Sequence, residues 1–244
     1  MHTDFRRRTI STRLCDPSHP GFFFLVVLVV FLGTAASSAL FAQATPRPET
    51  RRRVSFGVLI DTSARQRKVI ELEREAVNSL ADGFAGLASE SFVVRYADEV
   101  ETLQDWAPLE PGLRRVAARI ELDAESGKNR RTLLYDALNS GLSKLESGNS
   151  GNSKVLIVVG EGNDAGSVTR YSEVKKRAKS AQVQCFALLV ASHTLMGGRI
   201  RHFGFDLYDL ASATNGKAYD VEDSRKNLDK AIRDVLRRVH SGIE

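Results

Sequence analysis

The hydrophobic pattern of the chain alternates between short uninterrupted apolar runs and longer stretches with helical spacing. The first apolar run ends at Ile60, and the stretch after it carries apolar residues three or four positions apart from Val69 to Leu87. Uninterrupted runs indicate buried strands, whereas the three-four spacing indicates amphipathic helices. The pattern predicts strands at residues 54–60, 92–96, 100–106, 155–159, 183–190 and 217–221, and helices near residues 69–87, 113–122, 134–145, 172–180, 207–213 and 228–239.

This order of elements predicts an α/β fold with a Rossmann-like, doubly wound sheet. Uncharged apolar strands that alternate with amphipathic helices are typical of a mostly parallel sheet with helices on both faces. The second and third strands are separated only by a short polar segment that contains Asp98 and Glu99. A connection of this length fits a tight turn, so we expect one antiparallel strand at an edge of the sheet.

The first 44 residues have the pattern of an export segment rather than of a folded domain. Four arginines lie near the start, residues 22–32 are an unbroken apolar run, and Ala42 and Ala44 are small residues at the positions that a signal peptidase reads. These features predict a cleaved signal peptide and a protein that is exported to the periplasm or the cell exterior. The alternative is an uncleaved single span at residues 22–42, with the folded domain outside the cytoplasm.

A polar tether and one folded domain are expected after the export segment. Residues 45–53 contain two prolines and four arginines and cannot bury apolar surface, so we assign them to a linker. Residues 54–242 are long enough for a single domain with its own core. Removal of residues 1–44 would take away four arginines and two aspartates and lower the formal net charge from +5 to +3.

Composition and cysteine content narrow the range of functions. The basic residues are spread along the helices, and no zinc-finger, helix-turn-helix or RNA-binding motif is present, so nucleic acid is not expected as a partner. The membrane is expected to be contacted only by the N-terminal segment, if that segment is not cleaved. Cys185 lies within an apolar strand and is predicted to be a buried core residue rather than a nucleophile.

Oxygen-bearing side chains follow the first strand and recur near two later elements. Asp61 and Ser63 come directly after residues 54–60, Thr132 precedes the helix near residue 134, and Glu161 follows the strand at residues 155–159. Parallel α/β sheets bind ligands at the carboxyl ends of their strands. A carboxylate together with hydroxyl groups supplies the hard oxygen ligands that Mg²⁺ or Mn²⁺ prefers.

The spacing of these segments resembles that of the von Willebrand factor type A domain. The metal-ion-dependent adhesion site of that family reads Asp-x-Ser-x-Ser, followed by a Thr and then an Asp. Asp61, Ser63 and Thr132 match the pattern, whereas Arg65 replaces the second serine and Glu161 replaces the last aspartate. Residues 132–138 and 213–219 are also similar to segments of a bacterial secreted subfamily. The resemblance covers residues 54–239.

The two departures from the family pattern weaken the metal site that the resemblance implies. In the family, the equivalents of Ser63 and Thr132 coordinate the cation, and the acidic residues hold it through water or hydrogen bonds. A guanidinium ~5 Å from a divalent ion would repel it by roughly 6 to 7 kcal/mol at an effective dielectric near ~20. We therefore expect Arg65 itself to supply the positive charge by pairing with Asp61 or Glu161. No cofactor is expected, and Mg²⁺ or Mn²⁺ binding would be weakened by Arg65 and Glu161.

The glycine-rich segment at residues 160–166 also raises the alternative of a nucleotide-binding loop, because it follows a strand and precedes a helix. Glu161 would repel a pyrophosphate there, and no acidic residue ends the next strand, so this alternative is not favoured. A phosphatase with a nucleophilic aspartate at the same strand end would need a second aspartate where Ser63 stands.

The sequence therefore predicts an exported, non-catalytic module that binds a protein or peptide. The expected binding face lies at the strand ends and consists of Asp61, Ser63, Arg65, Thr132, Glu161 and Asp164. Two alternatives remain open from the sequence: an extracytoplasmic metal-assisted hydrolase that uses the same strand ends, and a degenerate type A domain with a purely structural role.

Overall fold

The computed structural model describes residues 53–122, 131–148, 151–190 and 204–242. The predicted signal peptide and residues 45–52 of the predicted tether lie outside these ranges. Within the described residues, no helix combines the length and the apolar character needed to cross a bilayer.

The described residues contain six strands, which form one sheet in the order β3-β2-β1-β4-β5-β6. All neighbouring strands are parallel except β2 and β3, which pair antiparallel at one edge. The predicted α/β fold with a single antiparallel edge strand is therefore confirmed. The strands are β1 (Val54–Asp61), β2 (Ala88–Tyr96), β3 (Val100–Ala107), β4 (Ser153–Gly160), β5 (Val183–Leu189) and β6 (Lys217–Asp220).

In the described part of the chain, six α-helices cover the two faces of this sheet, as the alternating pattern predicts. One hydrophobic core lies between the sheet and helices α1, α2 and α6, and the other lies between the sheet and α3, α4 and α5. The helices are α1 (Ile70–Phe84), α2 (Leu109–Ala117), α3 (Leu134–Ser147), α4 (Tyr171–Ser180), α5 (Phe205–Ala213) and α6 (Arg225–Ser241). The two central strands β1 and β4 are shielded from water on both faces, which explains their uninterrupted apolar sequences.

Helix α2 is the element whose bounds differ most from the sequence-based prediction. The apolar spacing predicted a helix at residues 113–122, but the helix begins at Leu109 and ends at Ala117. Pro111 and Gly112 favour a turn in the sequence, yet Pro111 lies in the first turn, where a backbone N–H has no acceptor within the helix. Ile120 is fully buried although it follows the helix, so its contribution to the apolar spacing comes from packing and not from helical structure.

Candidate functional site

The carboxyl ends of β1 and β4 lie side by side in the centre of the sheet. Asp61 is the last residue of β1, and Glu161 directly follows the last residue of β4. The segment before α3 reaches the same edge, because the backbone of Thr132 pairs with that of Ala165 through two N–H···O bonds of 3.0 and 2.9 Å. The structure thus brings together the three segments that the sequence pattern indicated as parts of one site.

Asp61 is buried, and both of its carboxylate oxygens accept hydrogen bonds from the segment that follows β1. The exposed fraction of Asp61 is only 1%. Oδ1 accepts from the backbone N–H of Ser63 at 2.9 Å, and Oδ2 accepts from the side-chain amide of Gln66 at 3.2 Å. Burial raises the pKa of Asp61 to about 6, although the hydrogen bonds from Ser63 and Gln66 lower it. The carboxylate of Asp61 therefore lies beneath the surface.

Arg65 lies in a 3-10 turn that spans Ala64–Lys68 and contacts Glu161 instead of Asp61. The Nη1 atom of Arg65 is 3.5 Å from Oε2 of Glu161. The side chain of Arg65 is 44% exposed, whereas that of Glu161 is 15% exposed. A separation of 3.5 Å is at the long limit of a hydrogen bond, and the pair is partly exposed to solvent. The contact is therefore a weak surface ion pair.

The carboxylate of Asp164 is occupied by contacts within the protein. Its Oδ1 atom accepts hydrogen bonds from the backbone N–H of Tyr135, in the first turn of α3, at 3.1 Å and from the hydroxyl of Ser167 at 2.6 Å. Asp136 completes the arrangement by accepting from the backbone N–H groups of Val168 and Thr169 at 3.0 and 2.8 Å. These bonds join the start of α3 to the loop after β4. A carboxylate at the N-terminus of a helix also interacts favourably with the helix dipole.

Two further residues at this end of the sheet were not identified from the sequence. Glu73 on α1 is fully buried, and neither of its carboxylate oxygens has a hydrogen-bond partner among the described residues. Burial raises the pKa of Glu73 well above 4.5, and the charge of Asp61 raises it further. The hydroxyl of Tyr96 is likewise buried without a partner in that part of the chain. Glu73 was missed because it occupies a position in the apolar stripe of α1.

Gly160 allows the two central strands to approach each other closely at the site. Its φ angle is 149°, and a Cβ atom at this position would lie 2.4 Å from the Cβ of Asp61 and 3.0 Å from the hydroxyl oxygen of Tyr96. The 2.4 Å distance to the Cβ of Asp61 is too short for a side chain, so only glycine fits without a shift of the strands. A glycine directly after an apolar strand was the available sequence signal for this close approach.

The side chains at the site fit a divalent cation poorly. Asp61, Ser63 and Thr132 match the family's ligand pattern in sequence, and the hydroxyl of Ser63 makes no hydrogen bond within the described residues. However, the guanidinium of Arg65 is held next to Glu161, and its charge opposes that of a metal ion. Among the described residues, no group of three or more His, Cys, Asp or Glu side chains has a geometry suited to hold a metal.

Cys185 does not provide a reactive group at this site. It lies within β5, is 2% exposed, and is packed in one of the two hydrophobic cores. Burial raises the pKa of its thiol to about 12, so the thiolate that a nucleophile requires is not formed near neutral pH. The prediction that Cys185 is a core residue is confirmed.

Comparison with known proteins identifies the fold. No protein-family model and no curated protein sequence matches the chain. Solved structures do match. An aerotolerance-related membrane protein from Bacteroides fragilis has 15% sequence identity and a TM-score of 0.60, and the match covers 77% of this chain and 99% of that one. The conserved hypothetical protein BatB from Bacteroides thetaiotaomicron matches with 16% identity, a TM-score of 0.59 and the same coverage.

A third match carries the family name directly. The von Willebrand factor type A structure from Catenulispora acidiphila has 12% identity and a TM-score of 0.60, and the match covers 77% of this chain and 43% of that one. The sheet order, the antiparallel edge and these similarities show that the described residues between 53 and 242 have the fold of a von Willebrand factor type A domain. The resemblance inferred from the sequence is confirmed at the level of the fold.

Proposed function

We propose that this protein is an exported, non-catalytic type A module that binds a protein or peptide at the carboxyl edge of its sheet. The observation that carries the proposal is the position of exposed apolar side chains. Among the described residues, the large apolar side chains with substantial exposure are Val168, Phe205 and Tyr208, with exposed fractions of 88%, 70% and 37%. Exposed apolar residues are ordinary when they are scattered, but a group at one edge marks an interaction surface.

The contacts of these residues support their assignment to the same edge as Arg65 and Glu161. Val168 lies in the loop after β4 and donates its backbone N–H to Asp136 on α3. Phe205 begins α5, next to Gly204, and a Cβ atom at Gly162 would lie 3.0 Å from the Cα of Gly204. Tyr208 hydrogen-bonds through its hydroxyl to Asp220 at the carboxyl end of β6. We name Val168, Phe205, Tyr208, Arg65 and Glu161 the edge surface.

A non-catalytic role is supported by the state of the central carboxylate. Asp61 is 1% exposed, and both of its oxygens accept hydrogen bonds from neighbouring groups. A general base or nucleophile must come within hydrogen-bond distance of its substrate, and Asp61 would have to leave its present contacts to do so. The same burial weighs against the alternative of a metal-assisted hydrolase.

The test is a comparison of captured partners with full-length protein variants. Phe205→Asp places a charge on the edge surface, and Ser180→Asp places the same charge on an exposed site at the opposite end of the sheet. We expect wild type and Ser180→Asp to capture the same envelope protein, and Phe205→Asp to lose it while melting at the same temperature. Equal capture by all three proteins would contradict the proposal, as would Mn²⁺-dependent turnover of generic phosphatase or esterase substrates.

A further inference from the structure

We propose that Arg65 recognises an aspartate or glutamate side chain of the partner directly, without a metal ion. This inference rests on the proposed function, because it names the chemistry by which the edge surface selects its partner. Arg65 stands where the fold family has a metal-ligating serine, and its guanidinium supplies the positive charge that would otherwise come from the ion. A guanidinium presents donors in a planar fork that matches the two oxygens of a carboxylate.

Arg65 has unused hydrogen-bonding capacity. A guanidinium has five N–H donors. Within the described ranges, Arg65 makes one side-chain hydrogen bond, the contact with Glu161 at 3.5 Å. Arg65 is 44% exposed and Glu161 is 15% exposed, so Glu161 is on the more buried side of the pair and much of the Arg65 side chain is accessible to a partner.

Two other carboxylates at this end of the sheet already accept hydrogen bonds. Asp61 accepts from Ser63 and Gln66, and Asp164 accepts from Tyr135 and Ser167. Glu161 is thus the one acidic side chain with which Arg65 pairs in the described part of the chain, and that pair is long. A partner carboxylate can therefore bind without breaking a strong contact within the protein.

The surroundings favour a singly charged carboxylate. Arg67 and Lys68 lie in the same 3-10 turn and form no ion pair within the residues that the structure describes, so the turn has a net positive charge that attracts an acidic segment. Glu161 and Asp164 would repel a doubly charged phosphate more strongly than a singly charged carboxylate. The edge surface therefore fits a peptide in which an acidic residue is followed or preceded by an apolar one.

The test is a peptide selection with the full-length protein purified in detergent. Short random peptides are selected on wild type in buffer containing EDTA, and each selected peptide is resynthesised with its Asp or Glu changed to Asn or Gln. We expect the selected peptides to share an acidic residue at one position, and the amide versions to bind about tenfold more weakly or worse. Addition of excess Mg²⁺ should leave the affinity unchanged.

Variants of the protein separate the role of Arg65 from general attraction. Arg65→Gln should weaken binding of the acidic peptides by about tenfold or more, because it removes both the positive charge and the planar set of guanidinium donors. Arg67→Gln, the matched control on the same turn, should weaken binding by less than about threefold. Arg65→Lys retains the positive charge without the planar guanidinium donors, so its affinity should lie between those of Arg65→Gln and Arg67→Gln.

The outcomes distinguish this inference from the proposed function. Binding that is lost in Phe205→Asp but retained in Arg65→Gln would overturn the role of Arg65 and leave the edge surface intact. Selected peptides without acidic residues, a requirement for Mg²⁺, or a preference for phosphorylated over acidic peptides would also overturn the role of Arg65. Failure to select any peptide, or selection that Phe205→Asp does not affect, would overturn both.

Discussion

Asp61, at the end of β1, and Glu73, on α1, are buried carboxyl groups whose charges interact, and neither forms an ion pair within the described residues. Burial raises the pKa of Asp61 from 3.8 to about 6, which corresponds to roughly 3 kcal/mol of stability lost at neutral pH. The pKa of Glu73 is raised by burial and by the charge of Asp61. A raised folded-state pKa of an acid means that stability is highest below the unfolded-state pKa and falls as pH rises. This end of the sheet should therefore be more stable in acid than at neutral pH.

Glu73→Gln should stabilise the protein at neutral pH. In the folded protein, Glu73 must either carry a charge in an apolar environment or stay protonated at a pH where the unfolded chain would release the proton. Both cost free energy of folding, and the variant removes this cost. The gain should be absent below pH 4.5, which is the usual pKa of the side chain, and should grow as pH rises above it. Urea unfolding of wild type and variant at several pH values measures this difference. A constant difference across pH would show that Glu73 has an ordinary pKa in the folded protein.

The weak pair between Arg65 and Glu161 should be detectable as a coupling energy. A double-mutant cycle with Arg65→Ala and Glu161→Ala should give a coupling of at most about 1 kcal/mol, because the pair is partly exposed and long. The matching cycle between Asp61→Ala and Arg65→Ala should be additive within about 0.5 kcal/mol, because Asp61 bonds to Ser63 and Gln66 instead. A larger coupling in the second cycle than in the first would show that Arg65 pairs with Asp61.

At the scale of elements, apolar periodicity was sufficient to place the six strands and the helices near their observed positions. The periodicity did not predict the start of α2 correctly. Pro111 usually indicates a turn, but it is tolerated in the first turn of a helix, and this is where it lies in α2. The acidic and hydroxyl residues of the site could be located because each follows or precedes a strongly patterned element. Gln66 and Glu73 could not be located from the sequence. Their roles depend on how the 3-10 turn and α1 pack against the end of β1, and no sequence spacing encodes that packing.

The turn before β6 depends on the hydroxyl of Thr214. This oxygen accepts from the backbone N–H of Cys185 at 3.1 Å and donates to the carbonyl of Leu210 at 2.8 Å. Thr214→Val keeps the shape but leaves the buried N–H of Cys185 without an acceptor, which should cost about 1 to 3 kcal/mol. Thr214→Ser keeps the hydroxyl and should cost less. Chemical denaturation of the two variants provides the measurement, and equal losses would show that the methyl group matters instead of the hydrogen bonds.

At the scale of the whole molecule, the location of the protein depends on the segment that precedes the domain. Ala42 and Ala44 follow an apolar run in the pattern of a signal peptide, so we predict that export removes residues 1–44. The exported protein should then begin at Thr45. N-terminal sequencing of protein from the cell envelope measures this directly. Recovery of an intact Met1 in the membrane fraction would instead support a single-span anchor.

Metal binding is the property in which we expect this protein to differ most clearly from the fold family. An ion that binds only the folded state raises stability by RT ln(1 + [L]/Kd), which is about 2.7 kcal/mol when the ion is present at about 100 times its Kd. Arg65→Ser restores a hydroxyl and removes a positive charge, and Glu161→Asp restores the shorter acidic side chain. We therefore expect the double variant to bind Mn²⁺ more tightly than the wild-type protein does.

Thermal melting with and without millimolar Mn²⁺ compares the two proteins most directly. If Arg65 occupies the place of the ion, the melting temperature of full-length wild type should not change with Mn²⁺, whereas that of the Arg65→Ser, Glu161→Asp variant should rise clearly. Arg67→Ser with Glu161→Asp is the matched control and should behave like wild type. A rise in the melting temperature of wild type that EDTA abolishes would contradict the account and would show that the site binds its ion despite Arg65.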